Sequence, residues 1–555
     1  MNDFMFSIST GRGKRRALLL AAMALGFCAA AEGLYRAWWA LKYAGDAGAP
    51  KDGYFSLYVV GESTAAGEPY TPWITLADLV RVRLGGRLRG RGIRVFNLAR
   101  SGESVYPQSV ALEKALRRRE GGGPGVVLVY AGHADAMGPR GFTPLEWFRK
   151  KVLYRSMLLG DLSFYAEKKL PFLRVRTRQT FEYHLRRIVE LSLESGLVPV
   201  LATAASNLAG IDPGLFPAEA GDRETRGPFD HRLPRAEIEA ILKKGLALEE
   251  RGGPGEALRY YSEQAGAHPE MKAYLEYRAG KCHQTAGRYK DAGLAFQRAV
   301  DLGAFDNFPR AATRQNDFIR ALAKRYAIPL VDTVEIFGRH SPGGLTGNEL
   351  FADGVHPNIE GYALLSNAYA AKIAEVSKEP AGKPWAGAAD VFRAFSYGGE
   401  KQANALIISG RNLFNVAAWH AWPGERLGMA RGHFRSAVEL DPGSFSAWLG
   451  LAWAETALSG PLMADGGSLY WLLKHGLLTY HTGEYGIGPG QLPAVLQKLA
   501  SYGPQESVLA RVPRAAALRY GLCPGKSGEC GVTRGQLLAL LEKLYGGGGA
   551  GRPRP

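Results

Sequence analysis

An α/β fold with a parallel five-stranded sheet, helices on both faces and two helical additions is what this sequence predicts. Three observations lead there. Short apolar runs at 57–60, 95–98, 126–130, 198–202 and 328–332 alternate with helix-like stretches, the pattern of a parallel sheet covered on both sides. Between the fourth and fifth runs, small and aromatic residues recur with a period of 35. Past residue 377 a similar texture returns after the prolines Pro380 and Pro384.

With 555 residues, the chain has room for two to four domains with ample cores. Hydrophobic residues make up 46% and charged residues 22%, as expected of mostly globular material. The net charge is +17, yet no zinc-finger, basic-zipper or aromatic RNA-binding signature accompanies it, so no nucleic acid partner is expected. Lipid headgroups or an acidic glycan fit such a charge equally well. The four cysteines are Cys28, Cys282, Cys523 and Cys530; the last two enclose a short loop that a disulfide could close outside the cytoplasm. No cysteine–histidine cluster suggests a metal, and no cofactor is expected.

Residues 1–45 read as a basic flank followed by a membrane anchor or signal. Lys14, Arg15 and Arg16 precede an uncharged apolar run at 17–31. That run is shorter than the roughly 20 residues of a spanning helix and typical of a signal-peptide core. Ala29-Ala30-Ala31 offers a cleavage site, whereas the helical pattern continuing to Leu41, with Trp38 and Trp39 at interface depth, favours an uncleaved anchor. Basic residues ahead of the apolar run place the bulk of the chain outside the cytoplasm, periplasmic or at the cell surface.

Residues 52–230 then form the first part of the sheet domain and 305–376 its second part. The intervening 231–304 carries the repeat. Gly245, Ala257, Tyr261 and Pro269 have the spacing of a tetratricopeptide repeat, and Gly280, Ala292, Phe296 and Ala299 follow 35 residues on. Ala430, Phe434, Ala437 and Pro442 repeat it in 386–545, a C-terminal helical domain; 546–555 is a disordered tail. Such repeats serve either as a protein- or glycan-binding surface or as structural support. Six arginines between Arg81 and Arg94, and Lys114 with Arg117 to Arg119, read as solvated faces or a surface for anionic headgroups. His433 and His475 stand alone and read as structural.

The chemistry centres on Phe351-Ala-Asp353-Gly-Val-His356-Pro-Asn358. An Asp and a His three residues apart on a turn can orient one another, and Ser63, in Gly61-Glu62-Ser63-Thr64 straight after the first strand, supplies a nucleophile. Ligands of such sheets bind beyond the carboxyl ends of the strands, where Ser63, Gly102 and Gly132 all fall.

These blocks resemble the SGNH/GDSL hydrolases, whose sheet is flavodoxin-like. Gly61-Glu62-Ser63 is similar to the family's Gly-Asp-Ser nucleophile block, and Asn97 to Ser104 resembles the block whose glycine, here Gly102, lends a backbone N–H to the oxyanion. Gly132-His133-Ala134-Asp135 stands where the family has Gly-x-Asn-Asp, and Asp353-Gly-Val-His356 resembles its final block. The resemblance implies Ser63 as nucleophile, in preference to Ser104 of the second Gly-Glu-Ser. It implies His356 as base, Asp353 as its partner, and an oxyanion site at Ser63, Gly102 and Ala134. Glu62 keeps the charge of the family's aspartate and is expected to matter little. Alanine at 134 removes a side-chain donor, a loss that typically costs about 10²–10³ in turnover. His133 could turn inward in its place, and Asn207 is another polar residue near that edge, read as a loop stabiliser. The implied function is a serine esterase acting on an acylated glycan or lipid. A catalytically weak scaffold that binds partners through its repeats, and an O-acyltransferase using the same residues, are the alternatives.

Overall fold

The structure is a computed structural model. It describes residues 11–44, 53–117, 123–135, 178–214, 235–251, 253–302, 310–417 and 422–444, with single positions elsewhere. Cys523, Cys530, His475, Arg118, Arg119 and the tail lie outside the described residues.

Helix α1 (Gly11–Ala44) opens the chain, and Tyr35 stacks on Trp38 at 5.6 Å. Among the described residues no helix is long and apolar enough to cross a membrane. The sheet follows. Strand β1 (Phe55–Gly61) leads through the one-turn α2 (Ser63–Ala66) and α3 (Leu76–Arg83) to β2 (Arg87–Leu88) and β3 (Arg91–Asn97). Then come α4 (Val105–Arg117), β4 (Gly125–Tyr130), α5 (Arg178–Glu194) and β5 (Val198–Ala202). The strand order is β2-β3-β1-β4-β5-β6, with β6 at Leu330–Val331. Pairing is parallel throughout except between β2 and β3.

The sheet therefore has six strands where five were expected. All five apolar runs fall on parallel strands; the sixth strand, β2, belongs to an edge hairpin that follows α3. The helix breaks off because Gly85, Gly86, Arg89 and Gly90 all take positive φ, which turns the chain back on itself. One of the six arginines there is also not solvated. Arg83 is 4% exposed and donates to Asn367 Oδ1 at 2.7 Å and to the Lys383 carbonyl at 2.6 Å. Arg94 lies over the rings of Tyr54 and Phe96.

β1 and β4 are buried on both faces, which is why they read as continuous apolar runs. Leu57, Val59, Val126 and Leu128 face one core with α3 and α12 (Ile359–Ser377). Tyr58, Val60, Val127 and Val129 face the other with α4, α5 and α10 (Thr313–Tyr326).

Among the described residues, four α-helices separate β5 from α10: α6 (Arg235–Arg251), α7 (Pro254–Ala267), α8 (Lys272–Thr285) and α9 (Tyr289–Leu302). Their periodic residues make one contact twice. Gly245 lies against the Tyr261 ring, and a Cβ on Gly280 would come within 2.6 Å of the Phe296 ring, while Ala257 and Ala292 are fully buried. After α11 (Thr333–Arg339) and α12, helix α13 (Ala388–Ala394) places Val391 in the first core. Helices α14 (Gly399–Ala417) and α15 (Gly424–Leu440) then pack together, with Gly410 under Phe434 and Ala430 fully buried.

Candidate active site

The chain leaves β1 first to one side, to β3, and then to the other, to β4. This switch of direction opens a crevice at the carboxyl end of β1. Ser63 begins α2 at that point. Gly61 makes the turn possible: its φ is +155°, and a Cβ there would collide with the Tyr130 carbonyl of β4. The loop after β4 is held to this turn by Glu62. Its buried carboxylate accepts the backbone N–H groups of Gly132, His133 and Ala134 at 3.0, 3.0 and 2.9 Å. Glu62, expected to matter little, is the clamp between the two loops.

Asp353 and His356 arrive from the far end of the sequence. The turn that carries them is closed by a bridge between Phe351 and Pro357 and by the Ala352 N–H, which donates to the His356 carbonyl at 2.8 Å. Asp353 Oδ1 accepts the N–H groups of Val355 and His356 at 2.9 and 2.8 Å. Its Oδ2 meets His356 Nδ1 at 2.6 Å, and His356 Nε2 meets Ser63 Oγ at 2.7 Å. Residues separated by 293 positions thus form one continuous relay. Burial alone would raise the Asp353 carboxyl, but His356 and the two N–H groups outweigh it and hold the carboxyl below its ordinary value. Burial would lower His356; the charge and hydrogen bond of Asp353, with help from Glu68 and Glu62, raise it instead.

The remaining candidates divide. Ser104 is buried just ahead of α4. Gly102 sits on the loop after β3 with φ +73°. Glu68 accepts from the neighbouring Ser101 hydroxyl at 2.8 Å, joining that loop to the one after α2. Ala134 offers only a methyl, and its backbone N–H is directed at Glu62. His133 is 3% exposed. Its Nδ1 accepts the Ala311 N–H at 3.1 Å, so the ring proton sits on Nε2, and burial, then the nearby His356, hold the ring neutral, down to about 3. Asn207 is a loop residue, as expected: its side-chain amide donates to the Asp353 carbonyl at 3.0 Å and to Asn348 Oδ1 at 2.8 Å. Among the described residues no group of acidic, cysteine and histidine side chains could hold a metal.

No protein-family model matches the sequence, and no curated protein matches it. Solved structures that superpose in part include three of low identity. One is a GDSL-like lipase from Bacteroides thetaiotaomicron, with 12% identity, 62% of this chain and 97% of that chain covered, and a TM-score of 0.27. A lipase/acylhydrolase from Enterococcus faecalis has 14% identity, 58% and 96% coverage, and a TM-score of 0.27. A Bacillus subtilis protein has 12% identity, 58% and 57% coverage, and a TM-score of 0.28. These likenesses assign no family.

Proposed function

We propose that this chain is a serine esterase with an SGNH-type catalytic domain, and the observation that carries the reading is the Ser63–His356–Asp353 relay at 2.7 and 2.6 Å. Neutral His356 donates its Nδ1–H to Asp353 and accepts the Ser63 hydroxyl proton at Nε2 as Oγ attacks an ester carbonyl. The imidazolium that forms is stabilised by the buried Asp353 carboxylate. The family resemblance assigns the oxyanion to the backbone N–H groups of Ser63 and Gly102. His356 then protonates the departing alcohol, and water, activated by the same ring, releases the acid and restores Ser63.

An acyl or acetyl ester on a glycan or lipid outside the cytoplasm is the substrate class that fits. The support is the apolar run at 17–31 behind a basic flank, which would bring the chain to a membrane. The helices α6 to α9 are read as a tetratricopeptide-like insertion, on the strength of the twice-made glycine–aromatic contact. A scaffold with little turnover is the second reading; Ala134, without a side-chain donor, favours it.

The test is hydrolysis of p-nitrophenyl acetate by the full chain beside Ser63→Ala. The esterase reading expects turnover to fall by at least about 10³-fold in the variant. Equal turnover in both proteins would sink it and leave the scaffold.

A further inference from the structure

Helix α15 reaches the catalytic turn with a residue that the mechanism above does not use. His433 Nε2 lies 2.8 Å from the carbonyl oxygen of Ala352. That carbonyl belongs to the peptide that carries the Asp353 N–H. The N–H of Ala352 itself donates to the His356 carbonyl at 2.8 Å. Ala352 is therefore gripped from both sides, by His356 within the turn and by His433 from a helix 81 residues further on.

The helix is well placed to act as a fixed support. Arg426 and His433 are seven residues apart, two turns of one stripe, so both face the catalytic domain. Arg426 and Asp212 form a fully buried pair at 2.9 Å, with a second bond from Arg426 to the Asp212 carbonyl at 2.7 Å. Glu425, beside it, accepts from Arg278 of α8 at 2.6 Å. Ala430 and Ala437 share that stripe, Leu427 and Phe434 lie next to it, and all four are fully buried.

We propose that His433 is a positioning residue for the catalytic pair: its Nε2–H holds the Ala352 carbonyl and, through that peptide, sets the Asp353 carboxylate against His356. The proposal rests on the esterase reading of the site. Burial lowers His433 and keeps its ring neutral, outweighing the Ala352 bond and the Asp353 charge, which act to raise it. His356 senses Asp353, Glu68 and Glu62, and its charge is felt at His133. A turn that loosens at Ala352 weakens the Asp353 contact and leaves the other groups unchanged.

The experiment compares the full chain with His433→Gln and His433→Met, side chains of similar volume of which only glutamine carries an N–H. Three readouts are taken: p-nitrophenyl acetate kinetics, the rate at which a fluorophosphonate labels Ser63, and the titration of the His356 ring by NMR. In His433→Met, kcat and the labelling rate should fall roughly three- to tenfold, the worth of one neutral hydrogen bond. KM should hold, and the His356 titration should move down toward the ordinary histidine value. His433→Gln should restore most of all three. A His356 titration and labelling rate unchanged in His433→Met would overturn the proposal, as would equal losses in both variants. If the parent protein neither hydrolyses the ester nor labels, the esterase reading fails, and the NMR titration still decides whether His433 positions Asp353.

Discussion

Replacing Glu62 by Gln would confront three backbone N–H groups with one carbonyl oxygen and one NH₂. At least one buried donor would lose its acceptor, at a cost of about 1–3 kcal/mol. The expected outcome is a lowered unfolding midpoint together with lost turnover, because the same groups hold the loop of Ala134 against Ser63; thermal melts and ester kinetics on Glu62→Gln check both. At Ala134 the expectation has the opposite sign. Ala134→Asn adds an amide donor beside the nucleophile, and turnover should rise by up to about 10²-fold if that donor reaches the oxyanion. The pH dependence follows from His356. Only the neutral ring accepts the Ser63 proton, and its folded value is raised above 6.5, so the acid limb of kcat/KM should have its midpoint above 6.5. The linkage signs differ within the pair. His356, raised in the folded state, contributes stability below its unfolded value that is lost as pH rises through the folded one. Asp353, lowered in the folded state, contributes stability above its unfolded value that is lost as pH falls through the folded one.

Among the elements, α15 shows how a helix can be both core and strut. Its inner stripe packs on α14 through Phe434 against Gly410, while Arg426 carries a charge into a site with no exposure at all. A charge buried that deeply is tolerable only while Asp212 answers it. Arg426→Ala should therefore destabilise the chain by about 3–5 kcal/mol, because Asp212 keeps its charge in the interior. The double variant Arg426→Met with Asp212→Leu removes both charges and fills the space, so it should recover most of that loss. Urea unfolding of the three proteins decides the matter: a single variant as stable as the parent would show that Asp212 finds another partner. The repeat helices are packed by a different rule. Gly280 exists because Phe296 occupies the place of its side chain, so a leucine there has no room without displacing the ring.

For the whole molecule, what was legible in the sequence was what local patterns encode. The parallel strands showed as apolar runs because both faces are buried, and the relay showed because Ser63 follows a strand and Asp353 and His356 share one turn. The edge hairpin at Arg87–Leu88 stayed hidden because its two residues have no periodicity. Glu62's three N–H partners, the Arg426–Asp212 pair across 214 positions and the His433–Ala352 bond across 81 are set by tertiary placement, which no spacing announces. These contacts also decide whether the helical parts are appendages. Asp212 follows β5; Asn207, on the same segment, holds the Asp353 carbonyl; and Tyr277 of α8 donates to the Ala209 carbonyl at 3.3 Å. One segment, 207–212, thus carries the Asp353–His356 turn, helix α8 and helix α15 together. Parts joined through a shared buried segment cannot come apart without exposing its polar groups. The chain should then lose Ser63 reactivity and the helical signal in one thermal transition, and Arg426→Ala should shift both by the same amount. Fluorophosphonate labelling and far-UV circular dichroism along one temperature ramp test this. If labelling persists after the first of two helical transitions, the helices melt independently and the catalytic turn does not need them.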